Sequence, residues 1–185
     1  MSTTWSVRAI TRAMLPVLLV LTLVELGSGL VLGRFEATLL RYPSLLVLVP
    51  VTIGTAGNLG SILAARLSTA FHLGTLSFAA DDETLAGNAV ATVALAASIF
   101  PLVGLGAWGL TALTGSTALP LSTVLAVSLA SGLSLAVLAV AVTVVATYAA
   151  YRFELDPDDV VIPVVTNVCD VLGVVLLYLA VLLFV

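Results

Sequence analysis

The sequence has no lysine, one cysteine and one histidine, and only 9% of its 185 residues are charged. Each scarcity removes a class of protein. The single Cys169 excludes an intrachain disulfide and any cysteine-built metal site, and its simplest role is a small hydrophobe packed in a helix. The single His72 falls in a loop between apolar segments. Without a second imidazole it is a poor metal ligand, and no acid and nucleophile pair is suggested with it, which argues against an intramembrane hydrolase. All six basic residues are Arg, and ten acids bring the net charge to −4. That balance argues against nucleic acid as a partner.

What the sequence has in excess is apolar surface. Hydrophobic residues make up 61% of the chain and the mean hydropathy is +1.26, far outside the range of water-soluble domains. This is an integral membrane protein. Spanning a bilayer as a helix takes roughly 20 predominantly apolar residues, and five stretches qualify, at about 13–33, 43–65, 85–113, 120–149 and 158–185. The expected fold is all-α: one five-helix membrane domain over 13–185 after a short segment, 1–12. Arg8 and Arg12 before the first span resemble the start of a signal peptide, but the span is long, contains Glu25 and lacks an A-x-A site, so it is expected to be retained. With five spans, Arg8, Arg12, Arg66 and Arg152 share one side and Arg34 and Arg41 the other. The richer side is expected to be cytoplasmic, with the C-terminus outside, in a multi-pass protein of the cell membrane.

The acids sort by side as well. Asp81, Asp82, Glu83, Glu154, Asp156, Asp158 and Asp159 fall in the two loops on the Arg-rich side, and only Glu36 on the other. In "ELDPDD" Asp156 is a good N-cap, Pro157 suits the first helical position, and Asp158 and Asp159 complement the helix dipole. The alternative is a cation-binding cluster at the inner mouth, formed by Asp81, Asp82, Glu83, Asp158 and Asp159. The two readings are compatible.

Two acids lie within spans. Starting the last helix at Pro157 puts Asp170 about 20 Å along it, near the middle of a hydrocarbon layer about 30 Å thick. An ionised carboxylate costs on the order of 2.5–3.5 kcal/mol there, so such residues usually face an aqueous path or a partner. Pro163, Thr166, Asn167, Asp170 and Gly173 recur at three- and four-residue spacing and form one stripe. The competing explanation is helix glue, with Thr and Asn bonded to a neighbouring helix. Glu25 reads more simply as a protonated or interhelical hydrogen-bonded acid than as a pore ligand. A second unusual segment, "PVTIGTAGNLGS", runs from Pro50 to Ser61. Gly54, Gly57 and Gly60, interleaved with Thr52, Thr55, Asn58 and Ser61, either loosen a helix beside a water-filled cavity or let helices pack closely.

These two segments carry a family resemblance. "FEATLLRYPSLLVLVPVTIGTAGNLGSILAARLST", residues 35–69, and "LDPDDVVIPVVTNVCDVLG", residues 155–173, resemble in order the two diagnostic parts of the transmembrane domain of MgtE-type magnesium channels and their eukaryotic solute-carrier homologues. The resemblance implies a homodimer of five-helix protomers, its central pore lined by the second and fifth helices. It implies that Asp170 forms the ion filter and that Asn58, with the Gly57 and Gly60 backbone, faces the pore. Thr55, Thr166 and Asn167 are added as further pore-lining candidates. Ile62 departs from the Gln that often follows the family's Gly-Asn-x-Gly-x pattern, and is closer to the solute-carrier variant. The family's cytoplasmic sensor domains do not fit in the roughly twelve residues before the first span. Gating is therefore expected within the membrane domain, on a partner or at the acidic mouth.

The chemistry agrees. Mg²⁺ loses its waters reluctantly and is usually held by one or two carboxylates. One Asp170 from each of two symmetric subunits would suit a hydrated divalent ion on a two-fold axis, in a site coupled to ion occupancy and pH. With no sulfur or imidazole on the stripe, soft metals are disfavoured. The expected function is Mg²⁺ transport, not catalysis, by a homodimer or a heterodimer with a paralogue. A proton-coupled carrier of another small solute and a non-transporting assembly subunit are the alternatives. Trp5, Trp108, Tyr148 and Tyr151 read as interface anchors, with Trp108 deeper. The small-residue run "SLASGLSLAV", 128–137, reads as close helix contact.

Overall fold

The computed structural model describes residues 7–79 and 81–185; Trp5 and the rest of 1–6 lie outside the described residues. It consists of five helices, α1 (Val7–Arg41), α2 (Pro43–His72), α3 (Glu83–Leu113), α4 (Leu121–Arg152) and α5 (Pro157–Phe184). All five are long and apolar enough to cross a membrane, and no strand occurs among the described residues. The fold is the all-α, five-span architecture that the hydropathy demands. A chain in lipid must satisfy its backbone internally, and uninterrupted helices do so.

The helices outrun their apolar stretches, most of all α1 and α2. Hydropathy marks the part of a helix that sits in hydrocarbon, whereas the helix ends where its backbone is stopped. "RFEATLLR" after the first apolar run contains no breaker before Pro43, so α1 continues to Arg41. Pro43 and Pro157 stand in the first turns of α2 and α5, where the missing N–H costs nothing. Gly74 and Gly115 follow α2 and α3 with φ of 67° and 69°, the left-handed conformation that glycine adopts freely after a helix. Asp82 accepts from the Leu85 N–H and Asp156 from the Asp158 N–H, capping α3 and α5.

The core is built mainly by α2, α3, α4 and α5, with Phe35 and Leu39 from the end of α1, and small residues set its distances. Ser128 on α4 donates to the Phe100 carbonyl of α3 at 2.8 Å. Gly132 lies against the Phe100 ring so closely that a Cβ would overlap it. The run 128–137 is therefore a close-contact face. Within lipid, such contact replaces the hydrophobic drive that helices lack there. Several hydroxyls in the spans are satisfied on their own helices: Ser131, Thr143 and Thr147 donate to Val127, Ala139 and Thr143 carbonyls, as expected where water is absent. Trp108 is half-buried against the core cluster at the far end from the α2–α3 loop.

α1 is different. None of the residues in its most apolar window is buried, and it lies mainly along α5, with only light contact to α2. Phe35 packs edge-on against Tyr178, ring centroids 5.1 Å apart. Leu21, Glu25, Ser28, Leu32 and Phe35 form its protein-facing stripe, while Leu23, Val24, Leu26 and Leu30 are exposed.

Candidate functional site

Asp170 stands at the middle of α5, thirteen residues from Pro157 and fourteen from Phe184 by their numbering. The helix divides into two faces there. Val161, Val165, Cys169, Gly173 and Leu177 are buried, at the four-residue spacing of one face. Pro163, Thr166, Asn167 and Asp170 are only half-buried. Cys169 is thus the packed hydrophobe that its isolation implied. Gly173 leaves the polar stripe: a Cβ there would sit 2.8 Å from Ile53 Cγ1 and 3.1 Å from Leu135 Cδ2, so it serves packing against α2 and α4.

Three contacts fix how α2 and α5 run past each other. Ser68 Oγ donates to Asp158 Oδ1 at 2.8 Å, Gly60 faces Val165, and Gly173 faces Ile53. The helices are antiparallel in a constant register, which brings Asn58 to the level of Asn167 and Thr55 to the level of Asp170. On α2 the uncovered face carries Gly54, Asn58 and Ile62, with Thr55 half-buried beside them. The candidate residues of the two helices therefore share one level near the middle of both helices.

In the glycine segment of α2, Gly60 is the residue that serves packing. The helix is continuous from Pro43 to His72, so the loosened backbone envisaged from the sequence does not occur. Gly60 is buried, and a Cβ there would run into Val165, with Ala139 and Thr143 of α4 behind it. Gly57 is also buried, its carbonyl accepting from Ser61 Oγ at 2.9 Å. Gly54 and Gly57 have open space where a Cβ would be.

The polar side chains near Asp170 offer acceptors more than donors. Thr166 Oγ1 and Asn167 Nδ2 both turn back on the Pro163 carbonyl at 3.1 Å. That leaves Asn167 Oδ1 buried without a partner, and Thr52 Oγ1 on α2 is likewise buried and unpaired. Orphaned polar atoms at membrane depth are costly, because nothing in hydrocarbon replaces the missing bond. The feature least visible in the sequence is that Glu25, half-buried on the stripe of α1 that lies along α5, stands near the level of Asp170. No local signal pairs residues so far apart in the chain.

At the other end of the bundle the acids take individual roles. Asp81, Glu83 and Asp159 are exposed, Asp158 is tied to Ser68, and Asp82 caps α3 while accepting from the backbone and hydroxyl of Ser77 at 2.6 and 2.9 Å. Among the described residues no three His, Cys, Asp or Glu side chains gather as a metal cage. His72 bonds back to the Ser68 carbonyl at 2.8 Å. Tyr148 and Tyr151 pack against Phe78 and Phe71, joining the α2–α3 loop to the end of α4. Arg66 donates to the Asn88 side chain, linking α2 to α3.

The Ser77 N–H, then the Leu85 N–H and the Ser77 hydroxyl, hold the Asp82 carboxyl well below the ordinary carboxylate range, at about 2. A carboxyl depressed on folding stabilises the fold above its unfolded value and loses that contribution as pH falls through its folded value. The cap is thus complete at neutral pH and should open only as pH falls towards about 2. Asp82→Ala is expected to accelerate amide hydrogen exchange at Ser77 and Leu85 several-fold while leaving α5 amides unchanged. Unchanged protection at both amides would show that the loop holds itself without this carboxylate.

Five membrane-length helices, with polar side chains at one level of two of them, define a polytopic membrane protein. The chain belongs to the MgtE family of divalent cation transporters, whose family model matches residues 49–180. That span contains α3, α4 and nearly all of α2 and α5, and both segments that prompted the resemblance overlap it. No curated protein matches the chain.

Proposed function

We propose that the protein moves Mg²⁺ across the cell membrane as a dimer, most simply a homodimer, through a path on the dimer axis lined by α2 and α5. Asp170 of each protomer binds the hydrated cation, and Thr166, Asn167, Thr55 and Asn58 line the path beside it. Gly60 holds α2 against its neighbours at that depth, and the Gly57 backbone lines the path with Asn58. The N-terminus lies on the cytoplasmic side, by the Arg distribution.

The observation that carries this reading is the position of Asp170: a half-buried carboxylate at mid-helix, on the incompletely covered face of α5, level with the uncovered polar face of α2. An acid with no route to water or cation would be expected to be fully packed or absent. Two such faces related by a two-fold axis would form a channel with one carboxylate from each side. A cation that keeps most of its water needs few direct ligands, which suits so sparse a set.

The test is Mg²⁺ uptake into proteoliposomes containing the purified chain, measured with an entrapped indicator against protein-free vesicles. Protein-dependent uptake that Mn²⁺ or Co²⁺ competes with, and Na⁺ does not, is the expected result. Absence of uptake by folded protein would overturn transport by this chain alone and direct the search to a paralogous partner subunit.

A further inference from the structure

We propose that Glu25 of α1 is a second acidic residue of the Asp170 ion path and that, acting with Asp170, it sets the preference for divalent over monovalent cations. This rests on the transport reading above and deepens it, because it brings α1 into the path as well as α2 and α5.

The geometry has three parts. First, α1 and α5 run parallel and Phe35 meets Tyr178 at one level; Glu25 stands ten residues before Phe35 and Asp170 eight before Tyr178, about 15 and 12 Å along their helices, so the two acids lie near one level. Second, Glu25 occupies the α1 stripe that faces α5. It is half-buried, while its neighbours Val24 and Leu26 are 50% and 66% exposed. The carboxyl is directed to α5 and not to lipid. Third, the surroundings hold acceptors without matching donors. Asn167, one helical turn before Asp170, has a buried Oδ1 with no partner, its amide nitrogen being committed to the Pro163 carbonyl. No Arg lies within eight residues of Glu25 or Asp170 in the sequence.

Packing does not account for the acid. α1 contributes nothing buried over its most apolar window, so an aliphatic side chain would serve the helix at least as well, and would insert more readily. Two carboxylates near one level, with an unpaired amide oxygen one turn away on α5, form an electron-rich set that a cation completes. Selectivity follows from charge density. A doubled negative charge favours a divalent over a monovalent ion, because the attraction scales with the product of the charges. Hydration allows the contact to run through water, as Mg²⁺ requires.

The experiment compares wild type, Glu25→Gln and Glu25→Asp in the proteoliposome assay, with Mg²⁺ dependence and Na⁺ competition measured for each. Glu25→Gln is expected to raise the half-saturating Mg²⁺ concentration about tenfold and make flux sensitive to Na⁺. Glu25→Asp should restore much of both. A merely structural role would change the amount of folded protein but neither property. If Glu25→Gln keeps the wild-type Mg²⁺ dependence and Na⁺ insensitivity, the proposal is overturned while Mg²⁺ transport stands; if wild type carries no Mg²⁺, the underlying reading fails first. Should Glu25→Gln not fold, labelling of Glu25 by a membrane-permeant carbodiimide in the wild type decides the matter. Mg²⁺ is expected to slow it, and labelling indifferent to Mg²⁺ would overturn the proposal.

Discussion

Asp170→Asn is expected to lower Mg²⁺ uptake at least about thirtyfold while leaving the chain folded and inserted. At about 5 Å and an effective dielectric constant of about 20, a divalent cation and one carboxylate attract each other by about 7 kcal/mol. Most of that is offset by lost hydration of both partners, but a third of it still corresponds to a factor of about 40 in occupancy. Asn keeps the shape and one acceptor oxygen of Asp, and it removes the cost of a charge at mid-membrane, so folding should not suffer. The readouts are therefore separable: initial uptake rate for function, and the thermal unfolding midpoint in detergent for the fold. A dimer exposes two Asp170 side chains to one ion, which makes the loss steeper than for one carboxylate. The nearby Glu25 is the reason to expect residual flux in place of none. Wild-type uptake by the Asn variant would reduce Asp170 to a helix-pairing residue and move the ion path elsewhere.

The sequence carried the architecture because the bilayer imposes it. Five apolar runs, all too long for a buried core helix, leave one fold class, and Asp170 is conspicuous because carboxylates are rare at that depth. Helix ends were less legible: hydropathy ends at Gly33, but α1 runs on to Arg41, because lipid and backbone stop a helix for different reasons. The glycine segment shows a second limit. Gly54, Gly57 and Gly60 are equally consistent with a loosened backbone and with tight packing, and only the position of Val165 decides that Gly60 packs. Gly173 shared the spacing of the polar stripe, yet it faces Ile53 and Leu135, because a stripe 100° wide has edges that local spacing does not resolve. The neighbourhood of Glu25 and Asp170 depends on how α1 docks on α5, which no local pattern encodes.

Gly60→Leu should be the most disruptive single change to the bundle short of breaking a helix. Gly60 sits where α2 meets α5 and α4: its missing Cβ is replaced by Val165 of α5, with Ala139 Cβ at 3.6 Å and Thr143 Oγ1 at 3.9 Å from where a Cβ would be. Overpacking a tight interior site costs typically 1–3 kcal/mol and occasionally more. Here the neighbours have little room to yield, since Thr143 is bonded to its own helix through Ala139 and Val165 is fully buried. Relief requires α2 and α5 to separate, and in lipid that separation forfeits van der Waals contact that no solvent effect restores. Asn58 and Thr55 would shift relative to Asn167 and Asp170, so transport should fall together with stability. Gly60→Ala tests the gradation: one carbon displaces a single Val165 methyl where Leu would displace the helix, and a loss of about 1 kcal/mol is expected. The double variant Gly60→Ala, Val165→Ala removes the colliding methyls and should recover most of that loss, a coupling characteristic of residues in direct contact. The check is the thermal midpoint of each variant in one detergent, together with its uptake rate. If Gly60→Leu melts with the wild type, the α2–α5 crossing is looser than Val165 implies, and the shared depth of the polar residues would then need another support.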